Sequence, residues 1–272
     1  MVDLGVGKNM VRAIRFWSQA AGLISASKGG GHSVTRIGND LLGDRGTDSF
    51  LEDIRTLWLI HWKLATNIES PLLAWDYLLN RWQEPEIVPS AVMKALQNEV
   101  AKQDDNLSSV TLHEHFDVFI HTYVPTRGRK GEVQEDNLDS PLVELELIIK
   151  VGDREIDRAA GRREPIYVFR REEKPDITSE LFTYCLTDFW RQRHGSEDTL
   201  PLKTVAHGHS SPGQIFKLPE DDIRSRVEAL GRQTRGLLTF SETANLQQVR
   251  RNGKLNATES LNDIYAEEAA YA

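Results

Sequence analysis

The sequence has 272 residues, 39% hydrophobic and 8% aromatic, with a net charge of −8. A chain of that length and composition buries its own core and is not disordered throughout. The single cysteine, Cys185, excludes an internal disulfide framework and a cysteine-based zinc finger and fits a reducing cytosol, while the absence of a long apolar run or a signal peptide predicts a cytoplasmic protein with no membrane segment. Residues 8–21 repeat Met10, Ile14, Trp17 and Ala21 at helical spacing and place Lys8, Arg12, Arg15 and Gln19 on another face, which predicts an amphipathic helix. A short strand from Leu23-Ile24, a glycine-rich loop over 27–32 and a second strand over 33–37 follow. Helix, strand, glycine loop, strand is the order of the last helix and wing of a winged helix-turn-helix.

The charge pattern agrees with that reading. Residues 1–46 hold Lys8, Arg12, Arg15, Lys28, Arg36 and Arg45 against Asp3, Asp40 and Asp44, a local charge of +3 that leaves −11 on the rest. A basic end on an acidic body suits a local polyanion surface. In winged-helix geometry Lys8, Asn9 and Arg12 lie nearest the base edges of a major groove, and Arg15, Lys28 and Arg36 lie on phosphates. Double-stranded DNA is the partner this predicts, with a homodimer as the form that would read a two-fold site. A winged helix carries two further helices ahead of its recognition helix, and only seven residues precede this one. An upstream segment or a partner segment is therefore expected to complete it. The alternative for GVGK at 5–8, a phosphate loop, fails because the first glycine, the Ser/Thr and the preceding strand are all missing.

Further along, apolar periodicity predicts helices over 48–67 (N-cap Asp48 or Ser49), 72–83, 90–102 and 111–123. The polar stretch 126–139 reads as a linker. Strands are expected near 142–151, 166–171 and 237–242, and helices over 178–193 and 220–234. The expected fold is α-rich α+β in three parts. A winged-helix-like module covers 1–46, a helical middle 47–125, and an α+β module 140–265 whose pattern is open to a second winged-helix-like reading.

His113, Asp117 and His121 recur every four residues on one predicted helix, and His and Asp ligands four apart can share a metal such as Mg²⁺ or Mn²⁺. A metal there would activate water for phosphodiester hydrolysis. The plainer alternative is a surface with scattered histidines. HGHSSPG, with His207, His209 and Ser210, is either an active-site loop or a turn leading into a helix. Glu144 and Glu146 are two apart on an expected strand and lack the lysine of a two-carboxylate nuclease signature, so a solvated strand face is expected. Cys185 lies in an apolar helix and reads as a core residue. Serine-hydrolase, Rossmann and kinase motifs are absent from the sequence.

The blocks LGVGKNMVRAIRFW, DSFLEDIRTLWLIHW, SPLVELELI, SPGQIFKLPEDDI and RGLLTFSETANLQQVRR, in that order, resemble the SspB-like family of bacterial DNA phosphorothioation and phage-defence systems. The resemblance spans nearly the whole chain and is most specific in the first block. It implies a DNA-acting partner of sulfur-transfer proteins, a cysteine desulfurase and an ATP-using enzyme, and it implies nicking of DNA so that sulfur can replace a nonbridging phosphate oxygen. It assigns no catalytic residue here. A transcription regulator that binds an operator without cutting it, and a scaffold for the sulfur-transfer enzymes, are the alternatives.

Overall fold

The computed structural model describes residues 5, 7–27, 29–102, 107–125, 140–157, 161–244, 246–253 and 261–266. The expected linker 126–139 and Lys28 lie outside them. Helix α1 (Lys8–Ala20) turns at Gly22 into a hairpin of β1 (Ile24–Ala26) and β2 (His32–Val34), in which Ile24 faces Val34 and Ala26 faces His32. The second strand ends earlier than expected, because Thr35 caps a short helix that the sequence reading missed, α2 (Arg36–Leu42). The Thr35 hydroxyl accepts the Gly38 N–H at 3.1 Å and donates to the Gly22 and Leu23 carbonyls at 2.7 and 3.0 Å. Gly38 is pressed so closely on this turn that a Cβ would sit 2.2 Å from the Leu23 oxygen. One threonine and one glycine thus lock α1, the hairpin and α2 together.

Helices α3 (Ile54–Ala65), α4 (Leu73–Asn80), α5 (Pro89–Lys102) and α6 (Ser109–Tyr123) follow. Asp53, rather than Asp48 or Ser49, caps α3. Asp48 instead folds the preceding loop by accepting the Glu52 and Asp53 N–H groups at 2.8 and 3.1 Å. The segment read as a strand over 142–151 divides. Ser140 caps a 3-10 turn over Pro141–Leu145, Glu146 takes a left-handed φ of +44°, and β3 (Ile148–Asp157) pairs antiparallel with β4 (Arg162–Phe169) only beyond it. Leu142 and Leu145 are buried three apart, the period of a 3-10 helix. Glu144 and Glu146 therefore do not share a strand face.

The last third runs α7 (Ser179–Arg193), β5 (Thr199–Pro201), α8 (Leu202–His207), α9 (Pro212–Phe216), α10 (Glu220–Gln233), β6 (Leu238–Thr243) and β7 (Leu246–Arg251), with an antiparallel sheet in the order β5-β7-β6. The expected α-rich α+β class is therefore present.

Buried side chains from Ala20 to Tyr265 form one core cluster. Its centre is aromatic, with Trp75 edge-on to Phe119 at 5.0 Å and Trp62 tilted on Phe216 at 5.5 Å. Two polar networks cross it. In the first, Trp75 Nε1 donates to the Tyr123 hydroxyl at 2.8 Å, so that hydroxyl donates to His61 Nδ1 at 2.6 Å, and His61 Nε2–H faces the Ile215 carbonyl at 3.2 Å. This chain ties α3, α4, α6 and α9 together. In the second, Asp188 on α7 accepts from Trp62 Nε1 at 2.9 Å, Lys63 Nζ at 2.8 Å and Gln192 Nε2 at 3.0 Å, and pairs with Arg191 at 2.6 Å. The segment 261–266 returns to α3, where Tyr265 bonds Thr56 at 2.8 Å and the Ile264 carbonyl accepts from Arg55 at 2.9 Å. No helix among the described residues is long and apolar enough to cross a membrane.

Candidate functional site

The expected cationic face stands out on α1. Lys8, Asn9, Arg12 and Arg15 are all exposed, and no carboxylate of the described residues pairs with the three cations. The helix attaches at its other end. Trp17 packs on Trp75 at 5.8 Å, Ala20 and Ala21 are buried, and Asn67 Nδ2 donates to the Ala20 carbonyl at 3.1 Å. Met10 and Ile14, on the same stripe as Trp17, are 46% and 48% exposed, so the first two turns of α1 project beyond the body. Next to them the β1–β2 hairpin is exposed along almost all of its length, with Gly30 and Gly31 supplying the positive φ its turn requires. Arg36, at the start of α2, is exposed and reaches Asp40 at 3.4 Å. Lys28 lies outside the described residues. This arrangement offers an anion an open cationic helix flanked by a two-stranded arm.

The histidine face of α6 turns out differently. His113, Asp117 and His121 are on the expected helix, but a rise of 1.5 Å per residue puts about 12 Å between His113 and His121, far beyond what one ion can bridge. Among the described residues no group of three or more His, Cys, Asp or Glu could hold a metal. The set expected to bind Mg²⁺ or Mn²⁺ therefore does not fit an ion. His121 instead borders a cavity of about 400 Å³ between α6 and β3–β4, with Glu146, Lys150 and Tyr167 on its walls. Glu146 pairs with Arg170 at 2.5 Å and Lys150 with Asp153 at 2.8 Å.

The HGHSSPG segment is the turn-into-helix alternative, clasped to the C-terminal end of α4. His209 pairs with Asp76 at 2.9 Å, the Ser210 N–H donates to Asn80 Oδ1 at 2.7 Å, and the Ser211 hydroxyl caps α9 by accepting the Gln214 N–H at 3.3 Å. Burial alone would raise the Asp76 carboxyl, but His209 and Arg81 outweigh it and hold the carboxyl below its ordinary range. Just beyond, the buried Lys217 ammonium reaches the Leu79 carbonyl at 2.5 Å and lies 4.5 Å from the Phe169 ring centre. It sits at the negative end of α4. Burial drives this amine well below the ordinary lysine value. Asp76, Asn80 and Lys217 were not singled out from the sequence. The available signal was a lysine inside the apolar run IFKL. Cys185 is fully buried, as expected, and burial pushes its thiol up.

The comparisons agree on kinship. The family described as DUF4007, protein of unknown function, matches residues 1–265. The chain belongs to that family. A crystal structure of SspB with magnesium ion bound superposes with a TM-score of 0.80 at 23% identity, covering 98% of this chain and 77% of that one. A second SspB crystal structure gives 0.78 at 22% identity, with the same coverages. The family thus has an SspB-like fold, in keeping with the resemblance drawn from the sequence blocks. No protein of curated function matches the sequence.

Proposed function

We propose that this chain is a duplex-DNA-binding component of a bacterial DNA phosphorothioation and phage-defence system. The observation that carries the proposal is the unpaired cationic face of α1, projecting beside an exposed hairpin on a chain that is acidic elsewhere. In this reading residues 1–46 act as a winged-helix-like module. Lys8, Asn9 and Arg12 enter the major groove, Arg15, Lys28 and Arg36 hold phosphates, and β1–β2 is the wing. Residues 47–125 form a helical middle that seats α1 through Trp17.

Residues 140–265 act as a second winged-helix-like module, which the element order α7, β5, α8, α9, α10, β6, β7, with the five-residue α9 added to the winged-helix pattern, and the sheet order β5-β7-β6 support. Its α10 opens with Glu220, Asp221 and Asp222, which phosphates would repel. We therefore assign DNA to α1 and leave the second module for protein contacts, with sulfur-transfer proteins or a second copy of the chain. Nicking enters the proposal from the SspB resemblance. Because the α6 face does not fit a metal, no step is routed through one.

The test is a titration of labelled duplex at about 50 to 200 mM salt. Arg12→Ala and Arg15→Ala should each weaken binding, and Arg15→Ala, which removes a phosphate contact, should lower the slope of log affinity against log salt by about one. An affinity that both substitutions leave unchanged rejects the interface and favours the scaffold alternative.

A further inference from the structure

The turn between α8 and α9 does more than start a helix. Ser210 takes φ +63°, a left-handed backbone that glycine or asparagine adopts at less cost. Hydrogen bonds on either side hold it there. The Ser210 N–H donates to Asn80 Oδ1 at 2.7 Å, and the Ser211 N–H donates to the Gly208 carbonyl at 2.9 Å. The Ser210 hydroxyl lies 3.0 Å from His209 Nδ1, and His209 Nε2 lies 2.9 Å from Asp76 Oδ1. Asp76 is itself fixed by Arg81 at 2.6 Å. Arg193, the last residue of α7, brings a guanidinium nitrogen to 3.4 Å from the Ser210 oxygen and pairs with no carboxylate of the described residues.

These contacts fix where the protons sit. An ionised Asp76 only accepts, so His209 Nε2 carries the ring hydrogen and Nδ1 offers its lone pair to the serine O–H. A hydroxyl aimed at an imidazole that a carboxylate orients is the geometry of an activated serine. The carboxylate comes from α4, far away in sequence, so no local motif reports it. A guanidinium beside the same oxygen suits an electrophile that carries negative oxygens, and its forked donors match phosphate. Ser210 is 3% exposed, whereas 41% of the His209 side chain is, so only a small electrophile passing His209 reaches the hydroxyl.

We propose that Ser210 is a nucleophile toward the phosphorus of a small phosphate ester, with His209 as its base, Arg193 on the phosphate oxygens and Asp76 as the positioning residue. The Oγ–P bond forms as the P–O bond to the leaving alcohol breaks, and the serine proton passes to His209 Nδ1 and on to the leaving oxygen. Water then attacks the phosphoserine and gives a proton to His209. The Oγ–P bond breaks, Ser210 takes that proton back, and inorganic phosphate leaves. This activity stands apart from the DNA reading, and neither depends on the other.

The experiment treats wild type, Ser210→Gly and His209→Ala with diisopropyl fluorophosphate, which bonds phosphorus to an activated serine as fluoride leaves, and locates the adduct by peptide mass. Wild type should be labelled at Ser210. Ser210→Gly suits the positive φ and keeps the N–H bonded to Asn80, so it should fold and take no label at position 210. His209→Ala should label roughly a hundredfold more slowly and recover in part when free imidazole is added. Wild type should also release 4-nitrophenolate from 4-nitrophenyl phosphate, and Ser210→Gly should not. An unlabelled Ser210 in wild type, or labelling at the same rate without His209, overturns the proposal. A slowing that imidazole does not relieve gives His209 a role in the fold alone and overturns its part as the base. Release of 4-nitrophenolate that is equal in wild type and Ser210→Gly, or absent from both, overturns the phosphate-ester assignment.

Discussion

Between pH 7 and pH 5 the protein should lose about 2 kcal/mol of stability through His61 alone. Its imidazole is fully buried, and burial is the main cause that lowers its pKa to about 4. The Ile215 carbonyl opposes that shift, and the nearby Lys217 and Lys174 charges add to it. The unfolded chain takes up a proton near pH 6.5, while the folded protein resists until about pH 4. Across that window the unfolded state binds more protons, so stability is full above pH 6.5 and is lost as the pH falls. Urea unfolding at pH 7 and pH 5 checks it, with His61→Gln as the comparison. The variant should be less stable at pH 7 by about 1–3 kcal/mol, because it disturbs the hydrogen bonds to Tyr123 and Ile215. It should then lose about 2 kcal/mol less than wild type on acidification. Equal losses in the two proteins would mean that the ring is not held neutral by its surroundings.

Asp188→Ala should be the most damaging single substitution in the core, costing about 3–5 kcal/mol. Burial would raise this carboxyl, but the Lys63 charge and hydrogen bonds from Lys63, Trp62 and Gln192 outweigh burial and hold it below the usual carboxylate range. Burial likewise works against the Lys63 ammonium, and Asp188 together with Tyr184 more than offsets it. Removing the carboxylate strands a largely buried ammonium and a fully buried indole N–H together. Chemical denaturation at neutral pH measures the loss. A cost below about 1 kcal/mol would mean that water or Tyr184 takes over the Lys63 charge.

Elements whose local signals and tertiary packing agree were legible in the sequence. The apolar spacing of α3, α5, α6, α7 and α10 reflects faces that are in fact buried, so periodicity located each within a few residues, apart from the start of α3. The cationic face of α1 was readable for the same reason, since charge and helical period coincide there. Legibility failed where short range and long range compete. The α2 helix has only seven residues and is specified by Thr35 and by the contact of Gly38 with Leu23, a partner distant in sequence. Val143, Leu145 and Leu147 alternate with Glu144 and Glu146 as a strand would, yet Ser140 and Pro141 start a 3-10 turn. Strands β5 and β7 gain their identity from pairing across about 50 residues, which no local pattern reports. The α6 histidines illustrate the same limit for a site. Their spacing shows a shared face but not convergence, and converging ligands have to come from separate elements or from adjacent turns.

Site-specific crosslinking measures most directly whether α1 is the surface that meets DNA. A photoreactive residue in place of Arg12 on α1 should crosslink to a bound duplex, and one in place of Glu228, on α10 of the second module, should not. Crosslinks from position 228 with none from position 12, while the protein still binds the duplex, would contradict the assignment.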